Sequence, residues 1–397
     1  MMNTSNKTQP HNGQRLEPLS AAIIPEILRN KDNVQRILII KLRHFGDVLL
    51  TTPVLNTLRA NYPNALIDIL LYSGTEAILA ANDAINHVYT VDRQLKHAGL
   101  KAQFLGEKAL FNTLKQQRYD VILNLSDQWR AGVYCRLLQP KLSIGLSYPK
   151  RQNRLWRYCH SLLVTIFQAE EQHTVLNNLA ILEPLQLSEI SVDVTMAYGE
   201  KDAQRTKEIC QQHNIDSYVL IQPSARWKFK TWSSIYCSQL INYLTEKGES
   251  VIITGGKDRA ELDYIAEILS QCSQPERIVN LAGTLNLTEL AALIDQAKLF
   301  IGVDSVAMHM AAALQTPSVV LFGPSNLKQW HPWKSPHSLL WAGSYAQIPE
   351  PRQIDTNTSE RYLDSIPVIE VQRSVDFWLS GEGIKDWEIR SPFNHHN

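Results

Sequence analysis

Apolar and polar positions along this chain keep two alternating rhythms. The run Ile37-Leu38-Ile39-Ile40 predicts a buried strand over 36–41. Val48, Leu49, Val54, Leu55 and Leu58 then recur at helical spacing and predict a helix over 47–61. Strands follow at 65–71, 87–91 and 119–125, with helices at 75–81 and 108–117. After a connector near 183–198 the same grammar restarts. Strands are predicted at 218–222, 250–254, 277–280, 299–303 and 318–322, and helices at 233–247, 258–270, 287–296 and 305–314. One further helix is predicted at 368–379, and the final residues read as frayed. Strand and helix in alternation predict an α/β fold with parallel sheets. The restart predicts two doubly wound, Rossmann-like domains facing each other across a cleft lined by strand C-termini. The expected parts are a poorly ordered extension (1–33), a first domain (34–185), a second domain (200–345) and a tail (346–397) with a helix that could pack back on the first domain.

The bulk numbers agree with two domains and narrow the class. A chain of 397 residues is long for one core. No apolar stretch nears the roughly 20 residues that cross a bilayer. The polar N-terminus, its one apolar patch broken by Pro25 and Glu26, does not read as a signal peptide, so a cytoplasmic protein is expected. Cys135, Cys159, Cys210, Cys237 and Cys272 are scattered without a C-x-x-C pair, which argues against a zinc site and a disulfide framework. Net charge is zero but unevenly spread. Residues 34–183 carry 17 Lys and Arg against 11 Asp and Glu, and residues 184–397 carry 18 against 25. The basic excess, densest from Arg93 to Arg157, is either a solvated surface or a face for an anionic partner. No nucleic-acid motif accompanies it, so the anionic partner would be a phosphorylated substrate or a membrane surface.

Chemistry concentrates at the turns. KLRHFGDVLLTTP (41–53) puts Lys41, Arg43, His44, Gly46 and Asp47 where the first strand turns into a helix. GVDSVAMHMAAA (302–313) puts Asp304 and Ser305 at a later turn of the same kind. Ser305 can cap that helix, whose free N–H groups suit a phosphate, and His309 lies one turn beyond. Three more turns of the second half share this flavour: Ser224-Ala225-Arg226 with Lys228 and Lys230, Gly255-Gly256-Lys257-Asp258, and Gly323-Pro324-Ser325. Loops rich in N–H, hydroxyl and Lys at one sheet edge make a site for a nucleotide diphosphate. A P-loop, a G-x-G-x-x-G fingerprint and a G-x-S-x-G elbow are all absent. No D-x-D follows an apolar run, so a departing diphosphate would be met by cations and helix dipoles, with Lys230 and Arg226 the candidates.

KLRHFGDVLLTTP, QPSARWKFKTW (222–232), LAGTLNLTELAALI (281–294) and GVDSVAMHMAAALQTPSVVLFGP (302–324) together resemble the ADP-heptose:lipopolysaccharide heptosyltransferases, glycosyltransferase family 9. Within the family the motifs are most similar to the heptosyltransferase III branch. The resemblance runs from about Val34 to Gly323 and implies a GT-B fold, inversion at the anomeric carbon, no metal and no cofactor. It implies ADP-heptose as donor, held by the second domain, and a phosphorylated lipopolysaccharide inner-core heptose as acceptor, held by the first. It casts Asp47 as catalytic base. Ser224, Arg226, Lys230, Asp258, Asp304, Ser305 and His309 fall on the donor side, and Lys41, Arg43, His44 and Gly46 on the acceptor side. Lys41, Arg43 and His44 either meet the acceptor's negative groups or only mark the subtype. Val306 stands where many members have glycine. The acceptor implies work at the cytoplasmic face of the inner membrane, with peripheral contact there. Alternatives of another class are a transferase of the same fold using another nucleotide sugar or acceptor, and a non-catalytic nucleotide-sugar-binding module.

Overall fold

A computed structural model describes residues 33–94 and 99–390, so the extension expected at 1–33 lies, but for Asn33, outside the described residues. Six parallel strands form the first sheet: β1 (Arg36–Ile40), β2 (Leu66–Tyr72), β3 (His87–Val91), β4 (Val121–Asn124), β5 (Leu142–Leu146) and β6 (Leu162–Val164). Six more form the second: β7 (Val219–Gln222), β8 (Val251–Ile253), β9 (Ile278–Asn280), β10 (Leu299–Val303), β11 (Ser318–Phe322) and β12 (His337–Trp341). Their orders are β3-β2-β1-β4-β5-β6 and β12-β11-β10-β7-β8-β9, which is one topology used twice. It is the doubly wound order, whose direction reverses between β1 and β4 and again between β7 and β10.

The unbroken apolar run of β1 has a plain cause. Parallel strands are covered on both faces. Ile37 and Ile39 pack to one side with Val54, Leu55 and Leu58 of α2 (Thr52–Asn61). Leu38 and Ile40 pack to the other with Leu114 of α3 (Leu100–Gln117) and Ala131 and Tyr134 of α4 (Trp129–Leu137). A short helix α5 (Arg154–Tyr158) follows β5 beside α4.

The sequence predicts one helix over 47–61; the structure has two, α1 (Phe45–Leu49) and α2. Pro53 has no N–H to continue the ladder. The Thr51 and Thr52 hydroxyls donate instead to the Val48 carbonyl (2.5 Å) and the Leu49 carbonyl (2.9 Å). The helix expected at 75–81 is a single 3₁₀ turn, Glu76–Leu79. β5, β6, β12, α4, α5 and a last helix over Glu382–Arg390 lack a counterpart among the predicted elements, and the final residues, 391–397, read as frayed, lie outside the described residues. The connector is not loose. It runs along α2, where Asn61 Nδ2 donates to the Glu189 carbonyl (2.6 Å) and Ser191 N to Thr57 Oγ1 (2.9 Å).

In the second domain the helices that matter are α6 (Arg259–Leu269) and α7 (Val306–Ala313). The tail helix, α8 (Val368–Leu379), has the predicted bounds but a different partner. Its stripe of Val371, Val375 and Trp378 is buried with Val219, Ile301 and Val319 of the second sheet, and Trp378 Nε1 donates to Ser338 Oγ (2.9 Å). It therefore covers the second domain and does not pack back on the first. Its apolar i, i+4, i+7 spacing matches a sheet face that would otherwise meet water. The five cysteines are free. No helix among the described residues is long and apolar enough to cross a membrane.

Candidate active site

In open parallel sheets a ligand sits where strand order reverses, at the C-terminal ends. The two turns singled out in the sequence occupy those points. After β1 the chain passes from Lys41 to Asp47, and the facing lip is the loop after β4. Leu42 N donates to Ser126 Oγ (2.5 Å), and Arg43 pairs with Asp127 at 2.9 Å. Lys41 is buried, and its Nζ donates to Asn178 Oδ1 (3.0 Å), whose Nδ2 holds the Leu50 carbonyl (2.9 Å). Burial pulls the Lys41 ammonium down to about 8 against the opposing charge of Asp47. Lys41 thus braces the turn from inside, and Arg43 is already paired. Asp47, half-buried in the first turn of α1, is close enough for its charge to act on Lys41, His44 and His309.

The second switch point is anionic and cationic at once. Lys230 Nζ reaches Asp304 Oδ2 at 2.5 Å, and Ser325 Oγ donates to the same oxygen at 2.5 Å. Burial raises the Asp304 carboxyl, but Lys230 and Ser325 outweigh it and the net shift is downward. The Trp227 ring lies under both cations, 5.2 Å from Lys230 Nζ and 5.4 Å from Arg226 Cζ. Ser325 comes from the Gly-Pro-Ser turn flagged in the sequence.

The neighbouring loop holds a residue that sequence reasoning missed. Ser224 Oγ donates to Glu261 Oε2 (2.5 Å), and Gly256 N donates to the same carboxylate (2.9 Å). A Cβ at Gly256 would stand 2.7 Å from Glu261 Oε1, so a side chain there would push that carboxylate away from the loop. Asp258, the acid chosen from the sequence, is exposed at the N-cap of α6. An acid in the first turn of a helix that follows a Gly-Gly loop was the available signal for Glu261.

Ser305 is the N-cap of α7, but its side chain makes no cap bond. Ser305 Oγ and His309 Nδ1 are both buried without a hydrogen-bond partner among the described residues. Such groups rarely stay unpaired, and a ligand is one way to satisfy them. Burial lowers His309 to about 4; Asp304 and Asp47 pull the other way, and Lys230 adds to the fall.

The two halves meet here. Gly46 of α1 lies against His309 of α7, and a Cβ on Gly46 would come within 3.1 Å of His309 Cδ2. Gly46 is not among the glycines with a left-handed φ, so close approach across the cleft accounts for it, not a bend in the chain. Arg226 Nη1 donates to His44 Nε2 at 2.6 Å, joining second domain to first. Burial and then Arg226 hold His44 below the usual imidazole range, which suits an acceptor nitrogen. The arrangement sets a carboxylate on one wall opposite a cation, a hydroxyl and a helix N-terminus on the other. That is a base facing an anion-holding end.

The glycosyltransferase family 9 (heptosyltransferase) sequence model matches residues 108–359. The chain is 38% identical over 337 residues to lipopolysaccharide heptosyltransferase 3 of Escherichia coli, which covers 84% of this chain and 96% of that one. Among solved structures, a glycosyl transferase family 9 protein from Veillonella parvula DSM 2008 superposes with a TM-score of 0.77 at 20% identity, covering 87% of this chain and 98% of that one. The E. coli ADP-heptose lps heptosyltransferase II superposes with a TM-score of 0.70 at 19% identity, covering 88% and 99%. The paired sheets are therefore the GT-B arrangement. On the match over most of both chains, this protein belongs to glycosyltransferase family 9, the heptosyltransferases, and is a glycosyltransferase.

Proposed function

We propose that the chain transfers L-glycero-D-manno-heptose from ADP-heptose to a heptose of the lipopolysaccharide inner core, with inversion at the anomeric carbon. The donor reading rests on the relatives' names and on the diphosphate-suited loops around Lys230, Ser305 and Ser224. The observation that carries the catalytic reading is the place of Asp47 on the first-domain wall, next to Gly46, which lies against His309 of the opposite wall.

In the proposed step the Asp47 carboxylate takes the proton of the acceptor hydroxyl as that oxygen attacks the anomeric carbon. The bond from that carbon to the β-phosphate oxygen breaks on the opposite side, and ADP leaves with the electron pair. Lys230, Arg226, the Ser305 hydroxyl and the N-terminus of α7 receive the developing negative charge. Arg226 would exchange His44 for the diphosphate, and Trp227 keeps it and Lys230 on one side of the cleft. Closure of the domains aligns donor and acceptor, an effect worth roughly 7–11 kcal/mol at best. The reading assigns the diphosphate charge to Lys230 and Arg226, which share one side of the cleft over Trp227, and turnover is expected to survive EDTA. His44 and Arg43 line the acceptor side, and work at the cytoplasmic face of the inner membrane follows from the acceptor.

Asp47→Asn tests the base. Turnover should fall by roughly 10²–10⁴ while ADP affinity holds. Near-normal turnover by a folded variant would sink the assignment.

A further inference from the structure

The outer face of the first domain differs from the rest of the surface. α3, α4 and α5 lie side by side on the side of the sheet opposite α2. Tyr134 of α4 donates to Glu107 of α3 (2.8 Å), and Gly132 of α4 lies so close to Trp156 of α5 that a Cβ would come within 2.9 Å of its ring. Residues 99–160 carry 11 Lys and Arg but 3 Asp and Glu. All three acids are engaged: Glu107 with Arg130 (2.5 Å), Asp120 with Lys141 (2.8 Å) and Asp127 with Arg43 (2.9 Å). Lys150, Arg154 and Arg157 are exposed and form no ion pair among the described residues.

The same three helices expose six large apolar side chains: Phe104 (66%), Leu105 (53%), Val133 (44%), Leu137 (51%), Leu155 (60%) and Tyr158 (63%). Arg136 covers the Tyr158 ring at 4.5 Å. One exposed leucine is ordinary. Six such residues on three adjacent helices, set among uncompensated cations, form a patch with a purpose.

We propose that this face docks on an anionic lipid bilayer, with the apolar side chains entering the headgroup boundary and the cations meeting lipid phosphates. The proposal deepens the functional reading above, since a lipid-linked acceptor would be met at that surface. Charge complementarity selects the occupant. A second copy would bring the same excess of positive charge to the face, whereas an anionic bilayer brings the opposite sign. The rest of the chain agrees with the orientation. Residues 184–397 carry 18 Lys and Arg against 25 Asp and Glu, so an anionic surface repels the second domain and turns the first toward it.

The test is co-sedimentation of the full chain with phosphatidylcholine vesicles and with the same vesicles containing phosphatidylglycerol. The chain should bind the second and not the first, and added salt should weaken binding. Phe104→Ser/Leu155→Ser/Tyr158→Ser and Lys150→Ser/Arg154→Ser/Arg157→Ser should each lower vesicle affinity by about tenfold or more. ADP affinity, read by calorimetry, should stay unchanged in both, which shows that they fold. Absence of binding to the phosphatidylglycerol vesicles overturns the proposal, and so does binding that neither triple variant weakens. Conversion of an oligomer to a monomer by the apolar variant, with vesicle binding intact, would make the face a self-association surface and overturn it as well. Failure of the parent chain to bind ADP would sink the functional reading while leaving vesicle binding to stand or fall alone.

Discussion

Gly46 and His309 belong to different domains and pack closely: a Cβ at 46 would lie 3.1 Å from His309 Cδ2, so the ring would have to give by a few tenths of an ångström. The contact brings the Asp47 wall against the donor wall.

Gly46→Ala separates two effects of opposite sign. Gly46 sits inside α1, where alanine should favour the helix by roughly 0.5–1 kcal/mol. The same methyl pushes on His309 by a few tenths of an ångström, less than the roughly 1 Å misplacement that can cost on the order of 10²-fold in rate. The expected result is an unchanged or slightly raised melting temperature, unchanged ADP affinity and kcat lowered by about 2- to 10-fold. A variant with normal kcat would mean that the contact does not set the closed geometry.

The Lys230–Asp304 pair is a buried one, with side-chain exposures of 16% and 8%. Removing one member of such a pair leaves the other charge unpaired, at roughly 3–5 kcal/mol, while replacing both with apolar residues is often neutral. Lys230→Ala should therefore lose stability and ADP affinity together. Lys230→Met/Asp304→Leu should recover most of the stability and none of the ADP affinity. Urea melts and ADP titrations on the three proteins decide; recovery of ADP binding by the double variant would remove Lys230 from the diphosphate site.

Much of this was legible in the residue string. The runs of β1 and β10, and the Gly, Asp and Ser residues that end them, carry strong local signals, because a doubly buried parallel strand must be apolar and the turn after it must not be. The stretch from 126 to 183 was silent for a different reason. β6 has three residues and α5 five, too few for a period to show. An apolar stripe tells that a helix is covered, not by which domain, so the stripe of α8 does not name the second sheet as its partner. The bond of Arg226 to His44 joins residues 182 apart, and nothing local encodes it.

Acid should loosen the meeting of the domains. His173 is buried, its Nε2 donates to the His331 carbonyl (3.0 Å), its Nδ1 accepts from Val175 N (3.2 Å), and its ring stacks 4.5 Å from Trp333. That bonding needs the neutral ring, since a proton on Nδ1 would face the Val175 N–H. Burial, with help from His331 and His309, lowers His173 to about 3, as burial lowers His309 to about 4. Unfolded histidine titrates near 6.5. Between about pH 6.5 and 4 the unfolded chain thus binds more protons than the folded one, and stability falls as pH falls. Each histidine contributes at most about 1.4 kcal/mol per pH unit in that window. Urea midpoints should drop from pH 7 to pH 5, and less steeply in His173→Asn; an equal midpoint at both pH values in the parent would contradict the neutral state of these rings.

The last prediction concerns which acid serves the donor loop. Glu261 Oε2 takes hydrogen bonds from Ser224 Oγ and Gly256 N, and so holds two turns of the second switch point against each other. Asp258 is exposed and holds neither. A hydrogen bond to a charged group contributes about 1.5–3 kcal/mol, and the two donors left behind would lose their partner. Glu261→Ala should therefore lower stability by about 2 kcal/mol and weaken ADP binding by about tenfold or more, because the loop that meets the nucleotide loses its shape. Glu261→Gln keeps an acceptor oxygen and should fall between the parent and the alanine variant. Asp258→Asn should leave stability and ADP affinity where they are, within about 0.5 kcal/mol, as expected for an exposed site outside the network. Calorimetry with ADP on the three variants reads the order directly. An Asp258→Asn protein with weaker ADP binding than Glu261→Ala would return the role to the acid chosen from the sequence.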